Sequence, residues 1–477
     1  MKVSKRILAL LLSVILAFSA VAVSASAAGV TTEVDEDGAQ NNTTATATAV
    51  DDITVGAKGA LANASDIDMF SFALKKDGFS KVTFTHDASG DATVYFKVSL
   101  WVFNGKNYNK VTSFEVKGNQ ATTESAVVAT TAEKYIVRVD AGASCAPIDY
   151  TVKVTSETVS YKSETEPNND ADSANALTPN YTKTIGKDLV YGSLTAGDKD
   201  YYSFTLAEKG YISLNLFNGK KFGAANSDIT FTVQQYSNDV NPQLLNISEY
   251  KLTSAEDTAY TPDVGLGAGT YFVKVSGSTG IYGVEVYAVK DATSEQEYNN
   301  TMATANLLTN GNNYYAAMNL ASDRDFFKVD VTDKVASKIT VAAVSSSFDG
   351  DLKVRIYKKT TSGDPIVTGK ATKDAAFEYD LGTQGAGVYY VVVSPGATCP
   401  TKLYKISAVK SEVTKVGNDG DGMWARIWAQ VKTMDWSQFA VYKELIGNID
   451  MKTVMGYFTG TFIPIVQRLV KWFQENK

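Results

Sequence analysis

Along Val94–Phe103 the chain alternates: Val94, Phe96, Val98, Leu100 and Val102 fall on one side, Tyr95, Lys97, Ser99, Trp101 and Phe103 on the other. A period of two is that of a strand, so the wholly apolar side predicts a core face and the other an outward face. The same period marks Lys81–Thr85 and Tyr135–Val139, then Tyr201–Leu206, Tyr211–Leu216, Ile229–Tyr236, Tyr271–Val275 and Tyr282–Val289, and finally Val388–Val393 and Leu403–Val409. Asn104-Gly105, directly after the first of these runs, predicts a type I′ hairpin. Closely spaced strands without a sustained helical period predict a mainly β protein made of antiparallel sandwiches.

Beyond Lys410 the pattern changes. Residues 411–422, with Gly417-Asn418-Asp419-Gly420-Asp421-Gly422 at their end, predict a flexible linker. In 423–477 apolar residues recur at helical spacing: Trp424, Ile427, Trp428 and Val431; Phe439, Tyr442, Leu445 and Ile446; Ile463, Val466, Leu469, Val470 and Phe473. These predict a small amphipathic α-helical tail, read as a bundle, a self-association element or an envelope-surface helix. At the other end, Lys2, Lys5 and Arg6 precede the apolar run Ile7–Val23 and a small-residue Ala25-Ser26-Ala27 site, which predicts a signal peptide over 1–27.

One stretch occurs three times. It is clearest as SETEPNNDADSANAL from Ser163 to Leu177, followed by GSLTAGDKDYYSFTL from Gly192 to Leu206. A second copy reads SEQEYNNTMATANLL from Ser294 to Leu308, then MNLASDRDFFKV from Met318 to Val329; a degenerate copy lies at Asp37–Val50 and Gly59–Leu74. The spacing between copies is one domain length, so the reading is three tandem sandwiches over 30–157, 160–290 and 292–410.

Each copy gathers oxygen donors: alternate acids, an Asn pair, then Asp-x-Asp before an aromatic strand. Such donors suit a hard cation, which makes calcium the expected ion; zinc would call for His or Cys, and the chain has one His and two Cys. E-x-E-x-N-N, the Ala and Leu after it, G-S-L, D-x-D-Y/F and the late Gly269–Val275 run G-T-Y-F-V-K-V together resemble the bacterial pre-peptidase C-terminal domain and the related collagen-binding domain of clostridial collagenases. The resemblance implies jelly-roll-like sandwiches that bind calcium where the acidic linker meets the loop before the D-x-D strand. Carried over residue by residue, it implies Glu164, Glu166, Asn168, Asn169, Ser193, Asp198 and Asp200 as ligands in repeat two. In repeat three it implies Glu295, Glu297, Asn299, Asn300, Asn319, Asp323 and Asp325. Repeat one departs from the pattern, with Ala39 at the second acid and Ala60 at the Ser, and keeps Asp37, Asn41, Asn42, Asp66 and Asp68.

Three aromatics on the outward side of Val94–Phe103 make Tyr95, Trp101 and Phe103 a candidate ligand platform, which could stack on sugar rings, pack on an extended peptide or be covered by a neighbouring domain. Thr230, Thr232 and Gln234, or Lys353, Arg355 and Tyr357, occupy the equivalent side elsewhere, so the platform is expected in repeat one only. His86 reads as a surface or edge residue. Cys145 and Cys399 stand ten residues after Tyr135 and Tyr389, and free or intermolecular thiols are expected over one bridge across a whole domain.

Net charge narrows the function. At −7, and more acidic once the three basic leader residues are removed, the chain has no basic stripe for nucleic acid. A single His and no Gly-x-Ser-x-Gly elbow argue against a serine-hydrolase triad. The expected protein is a secreted, non-catalytic, calcium-stabilised binding or adhesion protein, its ligand a collagen-like protein, a polysaccharide or the cell envelope. The alternative is a glycosidase-like hydrolase using paired carboxylates, or an accessory subunit of a secreted peptidase.

Overall fold

Each repeat folds as two facing sheets, since alternation along every long strand gives each sheet one apolar face to bury. The computed structural model describes residues 29–33, 40–143, 148–238, 240–332, 335–345, 348–400 and 402–412. The leader segment, Asp37, Ala39, Cys145, the glycine-rich linker and the tail expected to be helical lie outside the described residues.

In repeat two one sheet runs in the order Lys162–Ser163, Val190–Leu194, Gly280–Lys290, Gly210–Phe217, Thr258–Tyr260, with Val264–Leu266 also on Gly210–Phe217. The other runs Asn175–Ala176, Lys199–Leu206, Gly269–Gly277, Ile229–Tyr236, Leu244–Leu252. Repeat one has the same order strand for strand, and in repeat three the sheet containing Asp325–Val331 again has five strands while its partner has four. Three separate apolar clusters fill the sandwiches. A fourth joins repeats one and two, where Phe79 and Ala129 meet Tyr191, Phe222 and Ile281, the Phe79 and Tyr191 rings being 4.5 Å apart.

The predicted strands are present, most of them two to four residues longer, and the sandwich architecture stands with corrections. The sheets are not wholly antiparallel: the two-residue edge strands Lys162–Ser163 and Asn175–Ala176 pair in parallel with Val190–Tyr191 and Tyr202–Ser203. Such short pieces carry no period to read. Asn104-Gly105 does turn a hairpin, but through the four residues 104–107, with the Asn104 side chain accepting from the Lys106 and Asn107 N–H groups at 3.0 and 2.7 Å.

Tyr95 does not share the outward face with Trp101 and Phe103. Val94 pairs with Lys117 and Phe96 with Val116, so Tyr95 is the extra residue of a β-bulge, and its side chain is buried, its hydroxyl donating to Asp91 at 3.2 Å. His86 is buried too, its ring nitrogens facing the Asp87 and Lys117 carbonyls at 2.9 and 3.2 Å and its ring packing on Phe84, Tyr95 and Phe96. Nor are outward aromatics confined to repeat one: Tyr236 meets Phe272 edge-on at 5.4 Å, and Tyr357 lies across from Tyr390.

Candidate metal centre

The segment that opens each repeat positions the site. In repeat two it enters as Lys162–Ser163 on one sheet, crosses the end of the sandwich through the turn Ala171–Ser173, and joins the other sheet as Asn175–Ala176. Asp170 caps the turn by accepting from the Ser173 N–H at 2.8 Å. Asn175 clamps the crossing backbone, accepting from the Thr165 N–H (2.5 Å) and donating to its carbonyl (3.0 Å), while Leu177 anchors the end in the core. Repeat three uses Asn306 on Gln296 (2.6 and 2.9 Å) and Leu308 in the same way.

The crossing carries Glu164, Glu166 and Asn168 over the mouth between the sheets, where Asp200 faces them from Lys199–Leu206. Glu164, Glu166 and Asp200 place carboxylate oxygens within 4.8 Å of one another, and Glu295, Glu297 and Asp325 do the same. Glu164 and Asp200 are buried and Glu166 half-buried; all three acids of repeat three are buried.

Donors hold part of each cluster. Glu164 accepts from the Ser193 N–H at 2.6 Å, from Asn168 Nδ2 at 3.2 Å and from the Tyr202 hydroxyl at 2.8 Å. Tyr282 reaches across from the opposite sheet and donates to Asp200 at 2.5 Å. The close approach needs Gly192, where a Cβ would lie 2.5 Å from both Glu164 Oε2 and the Tyr282 hydroxyl. In repeat three the Ala317 N–H donates to Glu295 at 2.7 Å, Asn299 Nδ2 donates to it at 3.2 Å, and Tyr404 donates to Asp325.

Other oxygens in the clusters are left over. Among the described residues Asn168 Oδ1 and Asp200 Oδ1 in repeat two, and Glu297 Oε1, Asn299 Oδ1, Asn319 Oδ1 and Asp325 Oδ1 in repeat three, are buried without a hydrogen-bond donor. Glu285 shows what a purely structural buried carboxylate looks like in the same protein. Its two oxygens accept from Asn180 (2.8 Å), Asp188 N–H (3.1 Å), Gly186 N–H (3.1 Å) and Asn215 (3.2 Å).

Burial first, then the neighbouring carboxylates, push these acids toward their neutral forms. Glu166 rises to about 9 through burial and the charges of Glu164 and Asp198, and Glu164 to about 7, chiefly through burial. Asp200, Glu295, Glu297 and Asp325 are all raised well above the ordinary carboxylate range for the same leading cause. At 4.8 Å two like charges repel by about 3–4 kcal/mol in an effective dielectric of about 20, so a fully ionised trio costs on the order of 10 kcal/mol, as much as a domain's whole stability. Protons or a cation must offset it.

The donors fit a cation. All are hard oxygens, and two calcium–oxygen distances of about 2.3–2.6 Å span about 5 Å, so atoms this close can share one ion.

The expected ligands separate into groups. Glu164, Glu166, Asn168, Asp200 and Glu295, Glu297, Asn299, Asp325 line the pockets. Asn169 is exposed, and Asn300 accepts from the Arg324 N–H at 2.8 Å. Asp198 accepts from the Thr195 N–H (3.2 Å) and Asp323 from the Asn319 N–H (2.9 Å), so both close the loop beside the pocket and add negative field to it; burial raises Asp323 to about 6.

Two alignments need correction. Ala317, not Asn319, stands in the place of Ser193, because the Ala317 and Ser193 N–H groups donate to the equivalent Glu oxygens; Asn319 matches Thr195. In repeat one the first acid is Glu33 rather than Asp37: the Ala60 N–H donates to it at 2.5 Å and Asn41 at 3.4 Å. The partner tyrosines are not among the expected ligands, although Tyr150 and Tyr404 open the last strands of their repeats and Tyr282 is the third residue of its own, Gly280–Lys290.

Both sites lie at junctions. The Ala129 N–H of repeat one donates to Ser193 Oγ at 2.8 Å, and the Glu297 N–H donates to the Gly265 carbonyl of repeat two at 3.0 Å. Ala129 and Gly265 sit on the equivalent short strands Val128–Thr130 and Val264–Leu266.

No family model matches the chain, and no curated protein matches it. Among solved structures it is similar to the pre-peptidase C-terminal domain of a collagenase from Bacillus anthracis, at 20% identity over 24% of this chain and 93% of that one, TM-score 0.18. It is also similar to the CBM22-1–CBM22-2 tandem of Paenibacillus barcinonensis Xyn10C (10% identity, 50% and 96% covered, TM-score 0.19). A third is a triple jelly-roll protein of an archaeal virus turret (11% identity, 71% and 80% covered, TM-score 0.19).

Proposed function

We propose that repeats two and three each bind one calcium ion at the mouth of the sandwich, and that the protein is a non-catalytic extracellular binding or adhesion protein whose repeats these ions stiffen. The observation that carries the reading is the pair of equivalent three-carboxylate clusters, each with buried oxygens that no donor satisfies. Glu164, Glu166, Asp200 and the Asn168 carbonyl hold the first ion; Glu295, Glu297, Asp325 and the Asn299 carbonyl hold the second. Each ion ties the incoming linker to its sandwich beside a contact from the preceding repeat. Secretion, which the leader segment suggests, supplies the millimolar calcium that such extracellular modules need.

A hydrolase built on the same carboxylates is disfavoured by their burial: Glu295 and Asp325 are 0% exposed and Glu297 3%, so a polysaccharide does not reach them. Calorimetric titration of the chain with calcium tests the proposal. Two ions per chain are expected, one after Asp325→Asn and none after Asp200→Asn with Asp325→Asn; absence of binding at millimolar calcium overturns it.

A further inference from the structure

The outward face of repeat one carries a second, unrelated site. A cavity of about 340 Å³ opens there between the strand Val94–Phe103 and the hairpin that follows it. Trp101, Phe103 and Tyr108 form its walls and the buried Met69 and Ile136 its floor. Its size falls at the low end of small-molecule sites, about 300–1,000 Å³.

Three features define what it takes. First, the aromatic surface is fixed: the Trp101 indole N–H donates to Ser99 Oγ at 2.8 Å, and the Phe103 and Tyr108 rings are 5.1 Å apart. With its one polar atom committed, the indole offers only an apolar plane, which suits the C–H face of a sugar ring more than a group needing a hydrogen bond from it. Second, the charged groups in the lining, Lys106 and Arg138, are both cationic in a chain of net charge −7. Arg138 is forked onto Asp140 at 2.5–3.0 Å, whereas Lys106 makes no ion pair among the described residues, so the cavity carries about one uncompensated positive charge. Third, Asn107 and Thr44 add polar groups to the lining, and the neighbouring strand Tyr108–Lys117 is the edge of its sheet.

We infer that this cavity binds an acidic polysaccharide through one uronic-acid unit, its ring on Trp101 and its carboxylate on Lys106. The site is separate from the calcium clusters and stands or falls apart from them.

The test is calorimetric titration of the full chain with a defined oligogalacturonate, in chelator so that calcium neither fills the other sites nor cross-links the sugar, with a neutral cello-oligosaccharide of the same length alongside. The acidic sugar binds and the neutral one binds at least about tenfold more weakly. Trp101→Ala lowers affinity more than about tenfold, and Lys106→Glu, in an exposed turn where folding is undisturbed, lowers it comparably and flattens its salt dependence. Equal binding of both sugars, failure of the acidic sugar to bind, or unchanged affinity in Lys106→Glu overturns the assignment.

Discussion

Repeat one and repeat two share a frame of Glu, Asn, Tyr and Asp, and among the described residues repeat two adds a further carboxylate to it. Glu33 stands where Glu164 does, held by the Ala60 N–H as Glu164 is by the Ser193 N–H, and Tyr150 donates to Asp68 as Tyr282 does to Asp200. Two residues before the first Asn, however, repeat two has Glu166 and repeat one Ala39. The half-buried Glu33 and the buried Asp68 can share protons: burial, then the Asp68 charge, lifts Glu33 to about 8, and Asp68 is raised as well. A third carboxylate makes protons a poor solution near neutrality. On the proposed reading, the Glu–Asn–Tyr–Asp frame closes the end of the sandwich and the second Glu of the linker completes the calcium site.

The largest effect that can break this comparison is pH dependence without calcium. Glu164 and Glu166 have folded values near 7 and 9, above the ordinary 4.5, so the folded state holds protons that the unfolded state has lost. Their contribution is fully present below about pH 4.5 and is lost as pH rises through about 7 and then 9, a fall of a few kcal/mol. Denaturant titrations in chelator from pH 5 to pH 9 should show it, and Glu166→Gln should blunt it. A flat profile would mean that the carboxylates are not buried together.

Calcium should reverse that loss. At ten times the dissociation constant each site gains about 1.4 kcal/mol, so the melting temperature at pH 8 should rise by several degrees. Glu166→Ala with Glu297→Ala, which puts at both positions the residue that repeat one has at Ala39, should cancel the rise. If that double variant responds like the parent, the second linker Glu does not distinguish repeats two and three from repeat one.

Much of this was legible in the sequence, but unevenly. The long strands follow from alternation and the three copies from repetition, and the linker donors Glu164, Glu166 and Asn168 are within four residues of each other, so spacing alone groups them. What escaped depends on distance or on a break in period. Tyr282 meets Asp200 across 82 residues and two sheets, which no local pattern reports. Glu33 is eight residues from Asn41 where Glu164 is four from Asn168, so matching by spacing chose Asp37 instead. The loop Asn319–Asp323 is one residue longer than Thr195–Asp198, which drew Asn319 onto Ser193, and the bulge at Tyr95 reversed that side chain's face.

Tyr282→Phe and Tyr150→Phe separate the frame from the cage. Each deletes the hydroxyl donor to a buried Asp, at a cost of about 1–3 kcal/mol in chelator. In saturating calcium the loss in repeat two should shrink, because the ion takes over part of the Asp200 charge, while that in repeat one should not. Equal behaviour of the two variants in calcium would make the pockets equivalent after all.

The smallest effect is expected at Ser193, where repeats two and three already differ. Its backbone N–H, which any residue keeps, makes the short bond to Glu164; its hydroxyl adds a 3.2 Å contact to Glu164 and accepts the Ala129 N–H at 2.8 Å. Repeat three holds Glu295 through Ala317 with no hydroxyl. Ser193→Ala should therefore leave the calcium midpoint of repeat two unchanged. It should cost about 0.5–1.5 kcal/mol through the unpaired Ala129 N–H at the junction with repeat one, seen as faster amide exchange at Ala129 and its strand neighbours. A weakened calcium midpoint instead would place the Ser193 hydroxyl in the cage, and would mean that the two sites, so alike in their carboxylates, are held by different means.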